Sequence, residues 1–453
     1  MFYLRGKAYL RRNSYELRLI VSTMGNSDFS FNNIFRALQN KNFRLFFIGQ
    51  NISLTGTWMQ QVALSWLVYR LTHSAFLLGA VGFAGQIPTF LIAPIAGVVA
   101  DRYNRRRLLI LTQTLAMLQA GVLAALVLSQ RIEIWHVIVL SVFIGIVNAF
   151  DMPVRQAFTI EMIEKKENLS NAIALNSSMV NLARLTGPAV AGILIALFGE
   201  GLCFFLNAAS YVAVIISLLL MKMAAPAPIR SRGRILSDLK EGFFYVNGFI
   251  PIRYILLLVA LVSFMGVPYQ ILMPVFVTDI FHQGPQTLGF LMGMAGAGAL
   301  TGAIYLASRK TVLGLGRIIA RATGVFGLAL VLFSWSHVLW SSMILVFMAG
   351  LGMMVQMAAS NIILQTVVEE NKRGRVMSFY AMAFMGTVPF GSLFAGMMAA
   401  RIGAPMTLTV GGIFCLAGAV FFWRKLPVIR SVIRPVYMEK GIIAEATTGV
   451  NYK

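Results

Sequence analysis

Twelve long apolar stretches constrain this chain more than any other feature. They fall at roughly 44–70, 76–100, 107–128, 134–156, 170–198, 202–222, 254–280, 286–308, 317–334, 339–366, 376–400 and 404–423. A helix that crosses a bilayer needs about 20 mostly apolar residues. A membrane β-strand uses only about 9–11, so the reading is helical. Composition agrees: 58% of the residues are hydrophobic and 12% charged, against about 25% charged in soluble chains. Soluble multidomain and disordered readings are therefore excluded. Cys203 and Cys415 both lie in apolar runs, which argues for packing rather than a disulfide framework or metal site. Residues 1–40 are polar and basic, without the apolar core and cleavage site of a signal peptide. Met24 is a second candidate start, because the amphipathic run Phe31–Leu38 leads directly into the first stretch.

The formal charge of +22 first suggests a nucleic-acid partner. The positions of the basic residues argue otherwise. With the N-terminus placed inside, 34 of the 38 basic residues fall on inside segments; Arg70, Arg131 and Arg401 are outside and Arg184 lies within a span. This is a positive-inside pattern, and it predicts that both termini are cytoplasmic. The expected partner is the lipid bilayer and not nucleic acid.

The longest inside loop, near 222–253, divides the spans six and six. The expected organisation is an N-terminal tail (1–43), a first six-helix bundle (44–222), a linker (223–253), a second bundle (254–424) and a tail (425–453). The linker carries Pro226, Pro228, Arg230, Arg232 and Arg234. It continues into Ile235–Val246, where Leu236, Leu239 and Phe243 share a face. Either a helix on the inner leaflet or a solvated linker helix fits this pattern. Two bundles around a central path are the layout of transporters built from repeats.

Charged and polar groups inside the spans mark candidate function. Gly97-Val98-Val99-Ala100-Asp101-Arg102-Tyr103-Asn104-Arg105-Arg106-Arg107 lies between spans two and three. Gly97 suits close helix approach. Asp101 ends span two where it can meet a cation or a helix N-terminus, and Arg105 and Arg106 can hold the loop and contact lipid phosphate. At the inner end of span four, Asn148, Asp151 and Arg155 share a helix face and Pro153 kinks the helix. Asp151 is either a proton-coupling carboxylate or part of a structural clasp with Asp101; its depth favours the clasp. In span five Ser177, Asn181, Arg184 and Pro188 form a polar stripe. An arginine at a helix centre costs about 2.5–3.5 kcal/mol to insert, so Arg184 either meets an anionic substrate or is satisfied within the bundle. Gln50, Ser53, Thr57 and Gln60 in span one, Gln270 in span seven, and Gln356 and Asn361 in span ten are candidate cavity-lining residues, with helix–helix hydrogen bonding as the alternative for each.

Several of these stretches together resemble one family. The Gly97–Arg107 segment resembles the loop signature of the major facilitator superfamily, with Asn104 where a second glycine is usual. Gly187-Pro188-x-x-Ala191-Gly192 resembles the end of the superfamily's antiporter signature, with Ala191 replacing a glycine. Gly49–Gln60, Asn148–Ala157, Asn171–Gly192, Asp238–Gly242 and Arg373–Ser378 look like the transmembrane secretion effector branch, which includes enterobactin exporters and macrolide-efflux-like proteins. The resemblance covers about 42–425. It implies an all-α membrane protein with twelve transmembrane helices in two pseudo-symmetric bundles, and export of a siderophore or hydrophobic drug by alternating access. It also implies that the Gly97–Arg107 cluster latches the inside face; with Arg155 added, Gly97, Asp101, Arg102, Arg105 and Arg106 are the expected inner gate.

Proton entry is the expected driving force, since no ATP-binding pattern is present. A small-molecule substrate, no cofactor, no metal and a monomer are expected. The four histidines are scattered over outer helix ends and do not converge on a catalytic or metal site, so an enzyme is disfavoured. A nutrient importer and a non-transporting scaffold or sensor remain as alternatives.

Overall fold

The computed structural model describes residues 36–163, 168–221, 235–309 and 311–443. The proposed start at Met24, the linker prolines and arginines, and the side chains of Asp101, Leu236 and Leu239 lie outside the described residues.

The chain is all-helical. The first bundle consists of α1 (Lys41–Thr72), α2 (Ala75–Arg102), α3 (Arg105–Leu128), α4 (Ile134–Glu161), α5 (Leu169–Phe198) and α6 (Glu200–Leu220). The linker helix α7 (Ile235–Gly248) follows. The second bundle begins with a broken span, α8 (Ile250–Leu261) and α9 (Tyr269–Val275). It continues with α10 (Pro285–Ala307), α11 (Leu315–Ser334), α12 (Leu339–Val367), a second broken span of α13 (Glu370–Ala381) and α14 (Val388–Ile402), and α15 (Ala404–Glu439). Among the described residues, eleven segments are long and apolar enough to cross a membrane, against the twelve expected. The difference is α1. Its 32 residues suffice in length, but Gln50, Asn51, Ser53, Thr55, Thr57, Gln60 and Gln61 dilute its apolar character. The last helix runs on to Glu439 in one piece.

The loops alternate between an arginine-poor end, with Arg70, Arg131 and Arg401, and an arginine-rich end. At the arginine-poor end one hydrophobic core runs through both bundles, from Leu67 and Leu123 to Phe276 and Phe333. At the arginine-rich end the core is split. Phe43, Phe46, Val154 and Phe158 centre one cluster within the first bundle; Ile255, Ile319, Leu364 and Phe422 centre another within the second. The bundles are thus joined at one end and independently packed at the other.

Two helix–helix seams make the join, and they repeat each other. Gly79 is the fifth residue of α2 and Gly289 the fifth of α10; Gly192 is seventh from the end of α5 and Gly396 seventh from the end of α14. A Cβ on Gly192 would lie 2.9 Å from Gly289 Cα, and one on Gly79 would lie 2.9 Å from Gly396 Cα. The hairpins that follow also correspond. Gly199 at φ 80° and Gly403 at φ 83° each connect two helices with a single residue, a conformation only glycine adopts without strain.

The linker helix docks on the second bundle. Glu241 pairs with Arg375 at 2.6 Å, and Lys372 lies 4.6 Å from the Tyr245 ring centroid. Burial, and next the charge of Glu369, raise the Tyr245 phenol above its ordinary pKa. Phe243 and Phe244 remain exposed.

Candidate functional site: an arginine between the bundles

The site forms where α5 meets the broken span of the second bundle. Span seven contains Pro268 and Pro274, whose missing N–H groups cannot continue the α-helical ladder. The chain widens into π turns at Val262–Gly266 and Phe276–Ile280, closed by Val267 N–H to Val262 O at 3.1 Å and Phe281 N–H to Phe276 O at 2.9 Å. Such turns often mark functional positions because they re-aim the residues beside them. Here they flank Tyr269 and Gln270. The second broken span has the same form, a π turn at Met382–Gly386 followed closely by Pro389.

Arg184 faces Tyr269 and Gln270 across a cavity of about 20 Å³ that Trp58, Pro188 and Met292 also line. That volume holds roughly one water molecule, and Arg184 beside it is half-buried. The guanidinium carbon lies 5.0 Å from the Trp58 ring centroid, a cation–π distance. Its Nε is buried without a hydrogen-bond partner among the described residues. Gln270 Nε2 donates to the Tyr269 hydroxyl at 3.4 Å. A cation, an aromatic face and two polar groups therefore converge at the boundary between bundles, with donor capacity unused. This arrangement can receive an anionic or aromatic group.

The antiporter-like motif frames this centre. A Cβ on Gly187 would lie 2.6 Å from Trp58 Cβ, so Gly187 lets α5 lie against α1. A Cβ on Gly289 would lie 2.5 Å from Pro188 O, which brings α10 against the same turn. Gly192 continues the seam toward the arginine-poor end. There the Tyr69 hydroxyl donates to Asp279 Oδ2 across the two bundles.

Other expected residues separate into local groups. Asp151 is 4% exposed and belongs to the first bundle. It accepts from Thr112 Oγ1 at 2.9 Å and Gln113 Nε2 at 2.8 Å, and Arg155 approaches to 3.4 Å. Arg105 pairs with Glu161. Arg106 donates to the carbonyls of Leu218 and Leu219 at 2.7 and 2.9 Å, capping the end of α6 rather than only reaching for lipid. Arg102 is exposed. A Cβ on Gly97 would meet open space among the described residues, so the close helix approach expected there is not made to any of them. Asn148 is exposed although Asp151, three residues on, is buried.

The polar residues of span one mostly pack within the bundle instead of lining the central cavity. Gln60 Nε2 donates to Gln119 at 3.1 Å, and Gln60 Oε1 accepts from Asn207 at 2.7 Å. Thr57 is bonded to the Ser53 carbonyl and lies 3.4 Å from the Tyr211 hydroxyl. Ser53 is buried, Asn181 donates to Ser177 O at 2.9 Å, and Asn361 accepts from Gln365. The Gln60 bonds are the helix–helix bonding that polar side chains supply in apolar surroundings; those of Thr57 to Ser53, of Asn181 and of Asn361 run from i to i+4 within one helix. Gln50 and Gln356 are also buried, and Gln50 Oε1 and both polar atoms of Gln356 lack partners among the described residues. Of the cavity candidates, Gln270 alone is brought to Arg184. Trp58 and Tyr269 complete the site, and Tyr69 closes the seam. The pairing of Tyr69 with Asp279 spans 210 residues and no local pattern announces it. Among the described residues, no three His, Cys, Asp or Glu side chains group as metal ligands.

Comparisons with known proteins bear on this geometry. Residues 33–444 match the model of a family described as transmembrane secretion effector. The chain is 27% identical over 392 residues to the staphyloferrin A transporter of Staphylococcus aureus, covering 84% of this chain and 96% of that one. It is 27% identical over 357 residues to the multidrug efflux pump Tap of Mycolicibacterium fortuitum, covering 76% and 86%. Its fold is similar to a crystal structure of a bacterial homolog of the human lysosomal transporter Spinster in an inward-facing, unoccupied conformation, with TM-score 0.67, 14% identity, and 87% and 98% of the two chains covered. With its two six-helix bundles and the family match over nearly its whole length, the chain belongs to the transmembrane secretion effector family, multi-pass membrane transporters of the major facilitator type and not enzymes.

Proposed function

We propose that the protein exports a small molecule by alternating access, driven by proton entry. The substrate carries an anionic group together with an aromatic or apolar body, as a siderophore or an amphiphilic drug does. The observation that carries this reading is Arg184: a half-buried cation at the boundary of the bundles, stacked on Trp58, its buried Nε without a partner among the described residues. The charge pattern supports a cytoplasmic arginine-rich end. The bundles, joined at the arginine-poor end and separately packed at the other, then support a state open toward the cytoplasm, ready to load an export substrate. The relatives named for staphyloferrin A and for multidrug efflux support a small organic cargo.

Of the acids near span ends, Asp279 is bonded across the bundles, whereas Asp151 and Glu161 are held within the first. Because its hydrogen bond joins the bundles, Asp279 is our candidate for the coupling carboxylate.

The test is uptake into everted vesicles from an efflux-deficient bacterial host, with a panel of anionic and neutral amphiphiles under an imposed proton gradient. Arg184→Ala should raise KM for anionic substrates about 10- to 100-fold, the value of one lost charge-assisted hydrogen bond, and leave neutral ones near wild type. Equal loss for all substrates would make Arg184 a structural residue. Flux only in the opposite direction would make the protein an importer.

A further inference from the structure

A second, larger cavity lies away from Arg184, at the arginine-rich end of the second bundle. Its volume is about 240 Å³. The floor is apolar: Phe422, Leu426, Ile429 and Ile433 of α15 are each at most 6% exposed. The mouth lies between the exposed turn at Leu313 and two arginines, Arg430 and Arg434. Both arginine side chains are exposed, and among the described residues neither has an ion pair or hydrogen bond. Lys440, a little further on, is occupied with the carbonyls of Thr366 and Val368 at 2.7 and 3.3 Å.

Spacing matches the two arginines to a single anion. Side chains at i and i+4 share a helix face about 5–6 Å apart, and guanidinium forks fit phosphate oxygens bidentately. Depth matches them to a headgroup. Just before Arg430, Lys425 lies 5.7 Å from the Phe421 ring centroid and 6.0 Å from that of Tyr254, and Arg321 lies 5.8 Å from Trp423. Aromatic and basic side chains mixed in this way mark the edge of the hydrocarbon. Five residues at 1.5 Å each carry the helix about 8 Å further to Arg430. The headgroup layer extends roughly 5–8 Å beyond the hydrocarbon.

We propose that this cavity binds one anionic phospholipid of the adjacent leaflet, its phosphate held by Arg430 and Arg434 and an acyl chain lying on the Phe422–Ile433 floor. A soluble anion would leave the apolar floor unfilled, and a neutral lipid would leave both guanidinium groups unpaired.

Native mass spectrometry of the full chain, delipidated and then titrated with phosphatidylglycerol or phosphatidylcholine, tests it. One phosphatidylglycerol should be retained per chain in preference to phosphatidylcholine. The R430Q/R434Q double variant, altered only at exposed positions, should lower phosphatidylglycerol occupancy about tenfold, as loss of a charge-assisted contact implies. Val312→Trp, which narrows the mouth and keeps both arginines, should lower it as well. Size-exclusion profiles and melting temperatures like wild type would show that both variants are folded. Occupancy unchanged by the double variant would overturn the proposal. So would occupancy unchanged by Val312→Trp, or glycerol phosphate competing at the same concentration as the lipid, since either would show a headgroup contact without the cavity.

Discussion

Tyr69 and Asp279 belong to different bundles, so their hydrogen bond lasts only while the bundles are closed at the arginine-poor end. A hydrogen bond to a charged group contributes about 1.5–3 kcal/mol. Tyr69→Phe should therefore shift the equilibrium toward the oppositely opened state by about one to two powers of ten. Distance measurements between spin labels on the two bundles would show that shift; an unchanged distribution would remove the pair from gating. Asp151 makes a different case. It is buried among Thr112, Gln113 and Arg155 in a single bundle, and Asp151→Ala strips three partners at once. Removing one member of a buried charged pair costs about 3–5 kcal/mol, so its main effect should be a lower melting temperature. Normal stability with abolished proton coupling would instead return Asp151 to the coupling role. At this scale the sequence was informative about cost and silent about partners. Arg184 and Asp151 were conspicuous because charge in a span needs a reason, yet only folding placed Trp58 and Tyr269 beside the one and Thr112 and Gln113 beside the other.

Individual helices show which local signals survive folding. Most helix ends follow the apolar runs closely, but α15 runs on past the apolar stretch at 404–423 to Glu439. The breaks at Val262–Gly266 and Met382–Gly386 precede Pro268 and Pro389, where an absent N–H makes the break legible. Polar stripes were less legible. The same glutamines and serines serve equally to line a path or to bind one helix to another, and in α1 the second role prevails because α3 and α6 present Gln119 and Asn207 to Gln60. The seams give a prediction at this level. Gly192 and Gly289 lie too close for a side chain, and overpacking costs about 1–3 kcal/mol. Gly192→Leu should hold the seam open at the arginine-poor end, abolishing transport while each bundle keeps its own core. Transport at the wild-type rate would show that the seam need not close.

For the whole molecule, the proposed orientation has a direct test. Cys203 and Cys415 are both buried, so native thiols give little labelling background. A cysteine at exposed Gln283 should react with a membrane-impermeant maleimide in intact cells, and one at exposed Thr311 should react only after permeabilisation. The reverse pattern would invert the topology and with it the export reading. The chain's own sequence determined that it spans a membrane many times as helices, that the spans divide into two bundles, and which end holds the basic residues. These follow from the thickness of hydrocarbon and the cost of charge within it, which act on each segment separately. Which conformation the bundles adopt, which polar residues face the path, and where a second cavity opens beside Arg430 and Arg434 were decided by tertiary structure alone. Each depends on contacts between helices far apart in the chain, and no periodicity within one helix encodes its neighbour.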